Sequence, residues 1–429
     1  MNKVNIVTLG CSKNTVDSEN IAGHLRDAGF AVKFDDPKNT ADIVIINTCG
    51  FIGDAKEESI NTILEYAELK RRKKNPKKII VCGCLSQRYA EELANEIPEV
   101  DAFYGVHEWD KLIKTISNEY NNDFTATRLV STPKHYAFLK IAEGCNRSCS
   151  YCAIPLIRGR FISRPIDELV EEAKQLVADG AKELLVIAQD TTYYGMDLYG
   201  RRCLGTLLER LATETGAKWI RLHYTFPSSF PADVVEVMKK YDNICNYIDI
   251  PLQHISTSIL GSMQRGIDKD GTLKLMQQFK DNLPDVAIRT ALIVGYPNET
   301  EQDFEELKDF VTSMRFDRLG VFQYSAEEGT PSFALGDTVS DEEKQRRMDE
   351  IMYLQERISI EKNSEKVGKE YTVLVDRKEG DFWVGRTEYD SPEIDNEVLI
   401  QTDKRLKVGE FYKVEITDAM EYDLMARLV

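Results

Sequence analysis

The sequence predicts an α/β protein with three domains: an N-terminal Rossmann-like parallel sheet, a central partial TIM-like barrel of six βα units, and a small C-terminal β-barrel of the OB-like kind. Short apolar runs alternate with amphipathic helical stretches up to about residue 325. After Gly368 the pattern changes to short β runs, with Gly380 and Gly409 at turns. We place the domains at residues 1–120, 135–366 and 367–429, and a polar linker at residues 121–134.

Composition limits the class of protein and its partners. The 429 residues include 42% hydrophobic and 30% charged side chains, which is ordinary for a soluble globular protein. No apolar run reaches the roughly eighteen residues of a membrane span, and the N-terminus has no signal-peptide pattern, so we expect a cytoplasmic protein without a membrane partner. The net charge of −17 makes it a poor generic nucleic-acid binder and a suitable partner for a basic protein. Its nine cysteines, an odd number, favour metal or redox chemistry over disulfides.

The N-terminal domain carries three cysteines just past predicted strands. The strands are Val4–Leu9, Ala31–Phe34, Asp42–Asn47, Lys78–Cys82 and Ala102–Val106, and the helices are Thr15–Ala28, Asp54–Arg72, Ser86–Ile97 and Trp109–Ser117. Because ligands bind at the carboxyl ends of parallel strands, Cys11, Cys49 and Cys84 are candidates for one metal centre. The alternative is that each is a small buried hydrophobe. Cys84 is preferred to Cys82 because it lies beyond Gly83, and Cys82 has no assigned role.

The central domain contains the motif CxxxCxxC, formed by Cys145, Cys149 and Cys152. It follows the first of six predicted strands, which are Tyr136–Ala142, Glu183–Gln189, Trp219–Thr225, Tyr247–Gln253, Val286–Val294 and Arg318–Ser325. Fully ligated iron–sulfur cubanes use four thiolates, so three leave one iron free for a small molecule. A zinc knuckle or inert buried thiols are the alternatives, but zinc sites favour CxxC pairs with a fourth ligand close in sequence.

Other strand ends offer residues for a cofactor, since active groups in such barrels lie at the carboxyl ends of strands. Gln189 and Asp190 are candidates for an ammonium group, and a helix N-cap is the alternative. Gly295, Tyr296 and Pro297 are candidates for a nucleoside, and a tight turn is the alternative. Arg221 and Gln253 are the remaining candidates for cofactor binding. His223 and His254 are expected to be core residues, and Arg158, Arg160 and Arg164 either counter a cluster's charge, grip an anion or pair on the surface.

A long charged helix over Ser340–Lys366 leads to the last domain. Its predicted strands are Tyr371–Asp376, Phe382–Arg386, Glu397–Gln401, Phe411–Ile416 and Asp423–Leu428. Folds of this kind often bind single-stranded nucleic acid. From Gly368 to Val429, however, nine Lys and Arg face fifteen Asp and Glu, a net charge of −6. Nucleic-acid contact is therefore expected to be secondary.

Seven segments together resemble one family: LGCSKNTVDSE, INTCGFI, CGCLSQRY, EGCNRSCSYCAIP, RGRFISR, LIVGYP and a TRAM-like C-terminal domain. The chain resembles the radical-SAM methylthiotransferases over its whole length. Residues 385–395, GRTEYDSPEID, are similar to the RimO-type branch, which modifies the β-carbon of an aspartate in protein twelve of the small ribosomal subunit. Another branch modifies adenosine 37 of tRNA and is kept as the alternative. A nonenzymatic iron–sulfur electron carrier is the alternative from another class.

The resemblance implies two [4Fe–4S] clusters and S-adenosyl-L-methionine as cofactors. It implies that Cys145, Cys149 and Cys152 hold the cluster that cleaves S-adenosylmethionine, while Cys11, Cys49 and Cys84 hold the cluster that supplies a methylated sulfur. Chemistry then takes place on the clusters, with no acid or base side chain. Sulfur insertion into an unactivated C–H bond needs such a cofactor. An external one-electron donor, of the flavodoxin or ferredoxin type, is also required.

Overall fold

The computed structural model describes residues 3–38, 40–117 and 128–429. Residues 121–127 of the predicted linker at residues 121–134 lie outside the described residues. None of the helices in the described ranges combines the length and the apolar character that crossing a bilayer demands.

A five-stranded parallel sheet forms the N-terminal part, in the order β2-β1-β3-β4-β5. Its elements are β1 (Lys3–Thr8), α1 (Ser12–Asp27), β2 (Ala31–Phe34), β3 (Ile43–Thr48), α2 (Gly53–Arg71), β4 (Lys78–Gly83), α3 (Cys84–Glu96), β5 (Ala102–Phe103) and α4 (Trp109–Ile116). The central strands are runs of Ile and Val, because helices cover both faces of the sheet. Helices α1 and α4 pack on one face, and α2 and α3 pack on the other.

Six parallel strands form the central sheet, in the order β13-β12-β11-β10-β9-β6. Each strand pairs with the next strand of this sheet, and among the described residues β6 and β13 do not pair, so the barrel is open. The elements are β6 (Tyr136–Lys140), β7 (Ala142–Glu143), α5 (Ile154–Arg158), β8 (Ile162–Ser163), α6 (Ile166–Ala178), β9 (Glu183–Ile187), α7 (Met196–Tyr199), α8 (Leu204–Glu214), β10 (Trp219–Leu222), α9 (Ala232–Lys240), β11 (Ile244–Asp249), α10 (Thr257–Ser262), α11 (Lys269–Asn282), β12 (Ala287–Val294), α12 (Glu301–Met314), β13 (Arg318–Gln323) and α13 (Asp341–Ser364). The short antiparallel pair β7 and β8 closes the loop that carries CxxxCxxC.

The C-terminal part is a closed five-stranded barrel in the order β14-β15-β16-β18-β17. Its strands are β14 (Glu370–Glu379), β15 (Phe382–Arg386), β16 (Val398–Gln401), β17 (Phe411–Ala419) and β18 (Leu424–Leu428). Buried ion pairs dock it on the central sheet. Glu183 Oε1 lies 2.7 Å from Arg221 Nε, and Glu183 Oε2 lies 2.8 Å from Arg386 Nη1. All three side chains are excluded from solvent. The barrel is therefore fixed against the central domain by charge pairs that neither part could bury alone.

The predicted fold class is confirmed. Helices α1 and α3 begin at Ser12 and Cys84, earlier than predicted, and the short elements α5, β8 and α7 were not predicted. Two strands also end earlier than predicted. The fourth barrel strand, predicted at Tyr247–Gln253, runs from Ile244 to Asp249. Regular pairing ends at Asp249, and Gln253 forms only an isolated bridge to Leu292 of β12, with a left-handed φ of +75°. The last N-terminal strand, predicted to reach Val106, ends at Phe103.

Candidate functional site

Three cysteines meet at the carboxyl edge of the N-terminal sheet. Cys11 precedes α1, Cys49 directly follows β3, and Cys84 is the first residue of α3. The strands that lead to them, β1, β3 and β4, are neighbours in the sheet. The carboxyl ends of neighbouring parallel strands share one edge, so the fold brings together thiols that are distant in sequence. We call Cys11, Cys49 and Cys84 the first triad.

Two glycines permit this convergence. Gly10 has a φ of +93°, and a Cβ at this position would lie 2.7 Å from the Cβ of Cys49. Gly83 has a φ of +97°, and its Cβ would lie 2.6 Å from the carbonyl oxygen of Thr48. Only glycine adopts such φ values without strain and leaves this space free. A larger residue at either position would force the strand ends of the first triad apart.

Asn14 ties the three cysteine segments together. Its Nδ2 donates to the carbonyl oxygens of Leu9, at 2.7 Å, and Thr48, at 3.1 Å. Its Oδ1 accepts from the Sγ of Cys84, at 3.7 Å. The Asn14 side chain is fully buried, so these bonds are not exchanged with water. One amide thus fixes the geometry of the first triad.

The first triad contains one thiol that ionises more easily than the others. Burial raises the pKa of Cys49 to about 11, and the neighbouring Cys84 and Cys11 raise it too. Burial also raises the pKa of Cys84. For Cys11, burial is outweighed by the positive charges of Lys13 and Arg158, which lower its pKa. Cys11 is therefore the thiol of this triad that most readily becomes a thiolate.

Cys82 is not part of the triad. It packs in the core beside Val4 and Ile80, on the face of the sheet that α1 covers, and burial raises its pKa well above the usual value. The chain turns at Gly83, so Cys82 and Cys84 do not share a face. The structure thus gives Cys82 a packing role.

The motif CxxxCxxC forms a second triad, Cys145, Cys149 and Cys152, on the loop after β7. The loop is anchored at Ser150, whose N–H donates to the carbonyl oxygen of Met263 at 3.0 Å. Burial raises the pKa of Cys145 to about 11. Burial raises the pKa of Cys152 to about 12, and the neighbouring Cys149 and Cys145 thiols add to the shift. The three thiols therefore lie close enough together to influence one another's ionisation.

Two arginines donate hydrogen bonds to cysteine sulfurs, one in each triad. Arg265 Nη1 lies 3.3 Å from Cys149 Sγ. Arg158, in α5 directly after the second triad, reaches the first triad, and its Nη2 lies 3.4 Å from Cys84 Sγ. Both arginines are nearly excluded from solvent, so each guanidinium is a fixed positive charge beside thiols. Of the three arginines predicted near the cluster, Arg158 is the one that faces a triad.

Arg158 also belongs to a charge cluster that joins the two domains. Its Nη1 pairs with Asp17 of α1, at 2.7 Å, and with Glu143 of β7, at 3.1 Å. Lys140 pairs with the same two carboxylates. Burial opposes ionisation of Glu143, but the charges of Lys140 and Arg158 hold its pKa well below the usual value. The two triads are thus connected by a largely buried network of ion pairs.

Gln189 and Asp190 lie beside this network, as predicted for the end of the second barrel strand. Gln189 Nε2 donates to Glu143, while its Oε1 is buried and has no hydrogen-bond partner among the described residues. Asp190 pairs with Arg147 Nε at 2.6 Å and accepts from the N–H of Thr192 at 3.0 Å, so it caps the short 3₁₀ helix Thr191–Tyr193. The helix-cap alternative therefore holds for Asp190, and Gln189 keeps a free acceptor.

The turn after the fifth barrel strand supports the second triad. The Tyr296 hydroxyl bonds to Ser150 Oγ, at 2.9 Å, and the Tyr296 side chain is fully buried. Gly295 has a φ of +73°, and a Cβ there would collide with Lys344. Pro297 is buried next to them. This turn is a tight turn that anchors the cysteine loop, so the turn alternative describes Gly295.

Gln253 and Arg221 do not join the others. Gln253 is half-buried, and its backbone pairs with β12 through a bridge to Leu292. The Arg221 guanidinium contacts Glu183 and the carbonyl oxygens of Glu388 and Thr387 in the C-terminal barrel. In this structure the donors of the Arg221 guanidinium are engaged by Glu183 and by the C-terminal barrel.

The predicted histidines are core residues. His223 lies between Asp249, at 3.3 Å, and Ser391 of the C-terminal barrel, at 3.0 Å. His254 is fully buried near Glu299.

Sequence reasoning missed four residues near the triads: Lys13, Tyr224, Phe226 and Arg265. Lys13 Nζ lies 3.2 Å from the centre of the Tyr224 ring. Phe226 lies between two guanidiniums, with Arg147 at 4.0 Å and Arg265 at 4.1 Å from its ring centre. The only signal in sequence was position, since Lys13 is two residues from Cys11 and residues 224–226 lie at the end of a predicted barrel strand.

Comparison with known proteins adds to this geometry. Residues 3–105 match an uncharacterized protein family, UPF0004, residues 139–311 match the Radical SAM superfamily, and residues 367–429 match the TRAM domain. A protein of Phocaeicola vulgatus called ribosomal protein uS12 methylthiotransferase RimO is 52% identical over 430 residues, which cover 100% of this chain and 99% of that protein. A protein of the same name from Flavobacterium psychrophilum is 54% identical over 424 residues, covering 99% of this chain and 97% of that protein.

Solved structures resemble the chain in fold. The radical S-adenosylmethionine methyltransferase TsrM from Kitasatospora setae, with cobalamin and a [4Fe-4S] cluster bound, superposes with a TM-score of 0.55 at 14% identity and covers 77% of each chain. The cobalamin-dependent radical enzyme OxsB superposes with a TM-score of 0.53 at 11% identity, over 83% of this chain and 56% of that chain. These likenesses concern the fold alone, whereas the relatives are more than half identical over the full length. The chain belongs to the ribosomal protein uS12 methylthiotransferases, a family of radical-SAM enzymes.

Proposed function

We propose that this protein adds a methylthio group to the β-carbon of an aspartate in ribosomal protein uS12, using two [4Fe–4S] clusters and S-adenosylmethionine. One observation carries the proposal. Two cysteine triads lie at the carboxyl edges of two parallel sheets, and Arg158, which follows the second triad in sequence, contacts a sulfur of the first. Two centres that act on one substrate atom must lie close together and in a fixed relation. The buried charge cluster around Arg158 supplies that relation.

The donor sets suit cubane clusters better than single ions. Each triad offers three thiols, which leaves one iron of a cubane open. Within residues 3–38, 40–117 and 128–429, no three Cys, His, Asp or Glu side chains converge as closely as one metal ion requires. Cys11, Cys49 and Cys84 would hold one cluster, and Cys145, Cys149 and Cys152 the other. Hydrogen bonds from Arg158 and Arg265 to cysteine sulfurs are the kind that tune an anionic cluster.

When bound, the clusters and S-adenosylmethionine supply a one-electron reduction, hydrogen-atom abstraction and sulfur, which protein side chains cannot supply. The chain's own residues bind and orient. Gln189 Oε1, a buried acceptor without a partner among the described residues, is placed to accept from the ammonium of S-adenosylmethionine. Tyr296 and Ser150 hold the loop of the second triad in place. Buried Arg158 and half-buried Glu143 form an ion pair beside the triads.

The charge of the chain supports a basic protein as the substrate. The net charge is −17, and the C-terminal barrel, with −6 from residue 368 to 429, shares this acidity. A tRNA substrate is disfavoured, because phosphate binding needs Lys and Arg on the surface that meets it. The reaction also needs an external one-electron donor, for which a flavodoxin or ferredoxin is the natural class. We place the enzyme in the cytoplasm, where ribosomal proteins are assembled.

The test is anaerobic reconstitution followed by mass spectrometry of two substrates. Purified small ribosomal subunits and total tRNA, both from cells that lack this modification, are incubated with the enzyme, S-adenosylmethionine and a reductant. We expect uS12 to gain the mass of one methylthio group on one aspartate, and tRNA to remain unchanged. A methylthio group on adenosine of tRNA, with uS12 unmodified, would refute the proposal.

A further inference from the structure

Among the described residues, the buried ammonium of Lys13, beside the first triad, has no carboxylate partner. Lys13 is 7% exposed. The buried cations near it are paired, since Lys140 and Arg158 share the carboxylates of Asp17 and Glu143. In the described part of the chain, no Asp or Glu oxygen lies within salt-bridge distance of Lys13 Nζ, and the neighbours that act on its charge favourably are Tyr224 and Cys11. Apart from the Cys11 thiol, whose ionisation it favours, and the Tyr224 phenol, Lys13 has no acidic group beside it in the described residues, so an incoming carboxylate can pair with its ammonium.

Lys13 acts on Cys11 through its charge alone, whereas the two arginines donate hydrogen bonds to cysteine sulfurs. Arg158 and Arg265 lie 3.4 Å and 3.3 Å from the sulfurs of their cysteines. Lys13 Nζ makes no hydrogen bond to a sulfur among the described residues and lies 3.2 Å from the centre of the Tyr224 ring. An aromatic face attracts an ammonium more weakly than a carboxylate does, and the ammonium carries three donors. Lys13 can therefore exchange this contact for an incoming carboxylate.

Lys13 lies between the two triads. It lies two residues after Cys11, and the Tyr224 ring that it contacts belongs to the segment after β10. Two residues further on, Phe226 contacts the guanidinium of Arg265, which bonds to Cys149 of the second triad. Residues 224–226 thus extend from one triad to the other, and Lys13 is held at the end nearest the first.

The backbone fixes the Tyr224 ring in this place. Tyr224 has a φ of +55°, which is rare for a residue with a large side chain. Its N–H donates to Asp249 Oδ2 at 2.9 Å, and its carbonyl oxygen accepts from the N–H of Thr191 at 3.0 Å. Strained conformations of this kind persist where surrounding bonds impose them, and they are concentrated at functional sites. The resting place of Lys13 is therefore preorganised.

We propose that Lys13 binds the side-chain carboxylate of the target aspartate, and that Tyr224 holds the free ammonium in position for it. This assignment rests on the proposed function. The carboxylate carbon of aspartate is bonded to the β-carbon, so an ion pair with Lys13 fixes the β-carbon between the triads. The same ion pair selects aspartate over its neutral amide, asparagine. S-adenosylmethionine also carries a carboxylate, and the experiment separates the two sources.

The experiment measures the affinity of the reconstituted full-length enzyme for two forms of uS12. One is unmodified uS12, and the other has asparagine in place of the target aspartate. Both are titrated anaerobically, with S-adenosylmethionine present, against the wild type, Lys13→Met, Lys13→Arg and the control Lys56→Met. Lys56 is also in the N-terminal domain and faces the barrel, but its Nζ pairs with Glu327 at 2.9 Å. The wild type and the control should prefer aspartate by about 10-fold to 100-fold, the effect of one charge-assisted hydrogen bond.

Lys13→Met should remove this preference by weakening the binding of the aspartate form alone, and Lys13→Arg should restore part of it. A Lys13→Met enzyme that keeps the preference would overturn the assignment. So would a loss of bound iron in Lys13→Met, which would make Lys13 a support of the cluster. Weaker binding of S-adenosylmethionine without uS12 would also overturn it, because the carboxylate would then be that of the cofactor. Wild-type enzyme that adds no methylthio group to uS12 would refute the proposed function itself.

Discussion

Arg158 should be the side chain that holds the N-terminal domain against the barrel. We consider Arg158→Met, which keeps a chain of similar length and removes the charge. The substitution breaks the pairs with Asp17 and Glu143 and the contact with Cys84 Sγ. Removing one partner of a buried ion pair costs about 3–5 kcal/mol, because the other charge stays buried without compensation. Lys140 still pairs with both carboxylates, so we expect the lower end, about 3 kcal/mol.

Hydrogen exchange of backbone amides, followed by mass spectrometry, measures this loss of stability in the helices that carry the broken ion pairs. Helix α1, which carries Asp17, and helix α5, which carries Arg158, should exchange about 100-fold faster in Arg158→Met, because about 1.4 kcal/mol corresponds to a factor of ten. Arg164→Met is the matched control. Arg164 pairs with Glu172 of its own domain, is partly exposed, and should change exchange by less than about tenfold. Equal exchange of α1 in both variants would refute the role of Arg158 as the link between domains.

The two triads should fail separately: Cys149→Ala should abolish cleavage of S-adenosylmethionine, measured as 5′-deoxyadenosine, whereas Cys49→Ala should keep cleavage and lose methylthio transfer. Equal loss of cleavage in both would contradict this division. Tyr296→Phe removes a hydroxyl that bonds to Ser150 at 2.9 Å, so the free energy of unfolding should fall by about 1 kcal/mol in urea titrations. An unchanged midpoint would show that this bond is dispensable. Burial raises the pKa of the Glu183 carboxyl, but the charges of Arg386 and Arg221 outweigh burial and lower the pKa below the usual 4.5. The stabilisation from these ion pairs is therefore present above pH 4.5 and is lost as the pH falls through the lowered pKa. The urea midpoint of the C-terminal barrel should therefore decline below about pH 4.5 in the wild type. In Glu183→Gln the midpoint should already be reduced at neutral pH, and the decline below about pH 4.5 should be smaller. Parallel curves for the two proteins would contradict the role of these ion pairs.

Much of the fold follows from local pattern. Runs such as Ile43–Thr48 are apolar on both faces, which is the mark of a buried parallel strand, and each is followed by a helix. The cysteines of the first triad could be chosen because parallel strands end at one edge, and Cys84 was separated from Cys82 by a glycine. These inferences need only neighbours in sequence and the handedness of βα units.

Side-chain direction could not be predicted in the same way. Arg221 lies on a barrel strand, as a cofactor ligand would, yet its guanidinium is taken by Glu183 and by carbonyl groups of the C-terminal barrel. That partner is more than 150 residues away in sequence, and no local pattern announces it. The contact between Lys13 and Tyr224 is of the same kind, since it joins two domains. Charge pairing between distant segments is a tertiary property, and only the structure reveals which cation has a partner.

The proposed chemistry requires that the chain hold two cubanes, each on three thiolates. Iron and labile sulfide per chain, determined after complete anaerobic reconstitution, test it most directly. We expect about eight irons in the wild type and about four after Cys11, Cys49 and Cys84 are all replaced by alanine. A wild-type protein that saturates at about four irons, unchanged by the triple replacement, would contradict it.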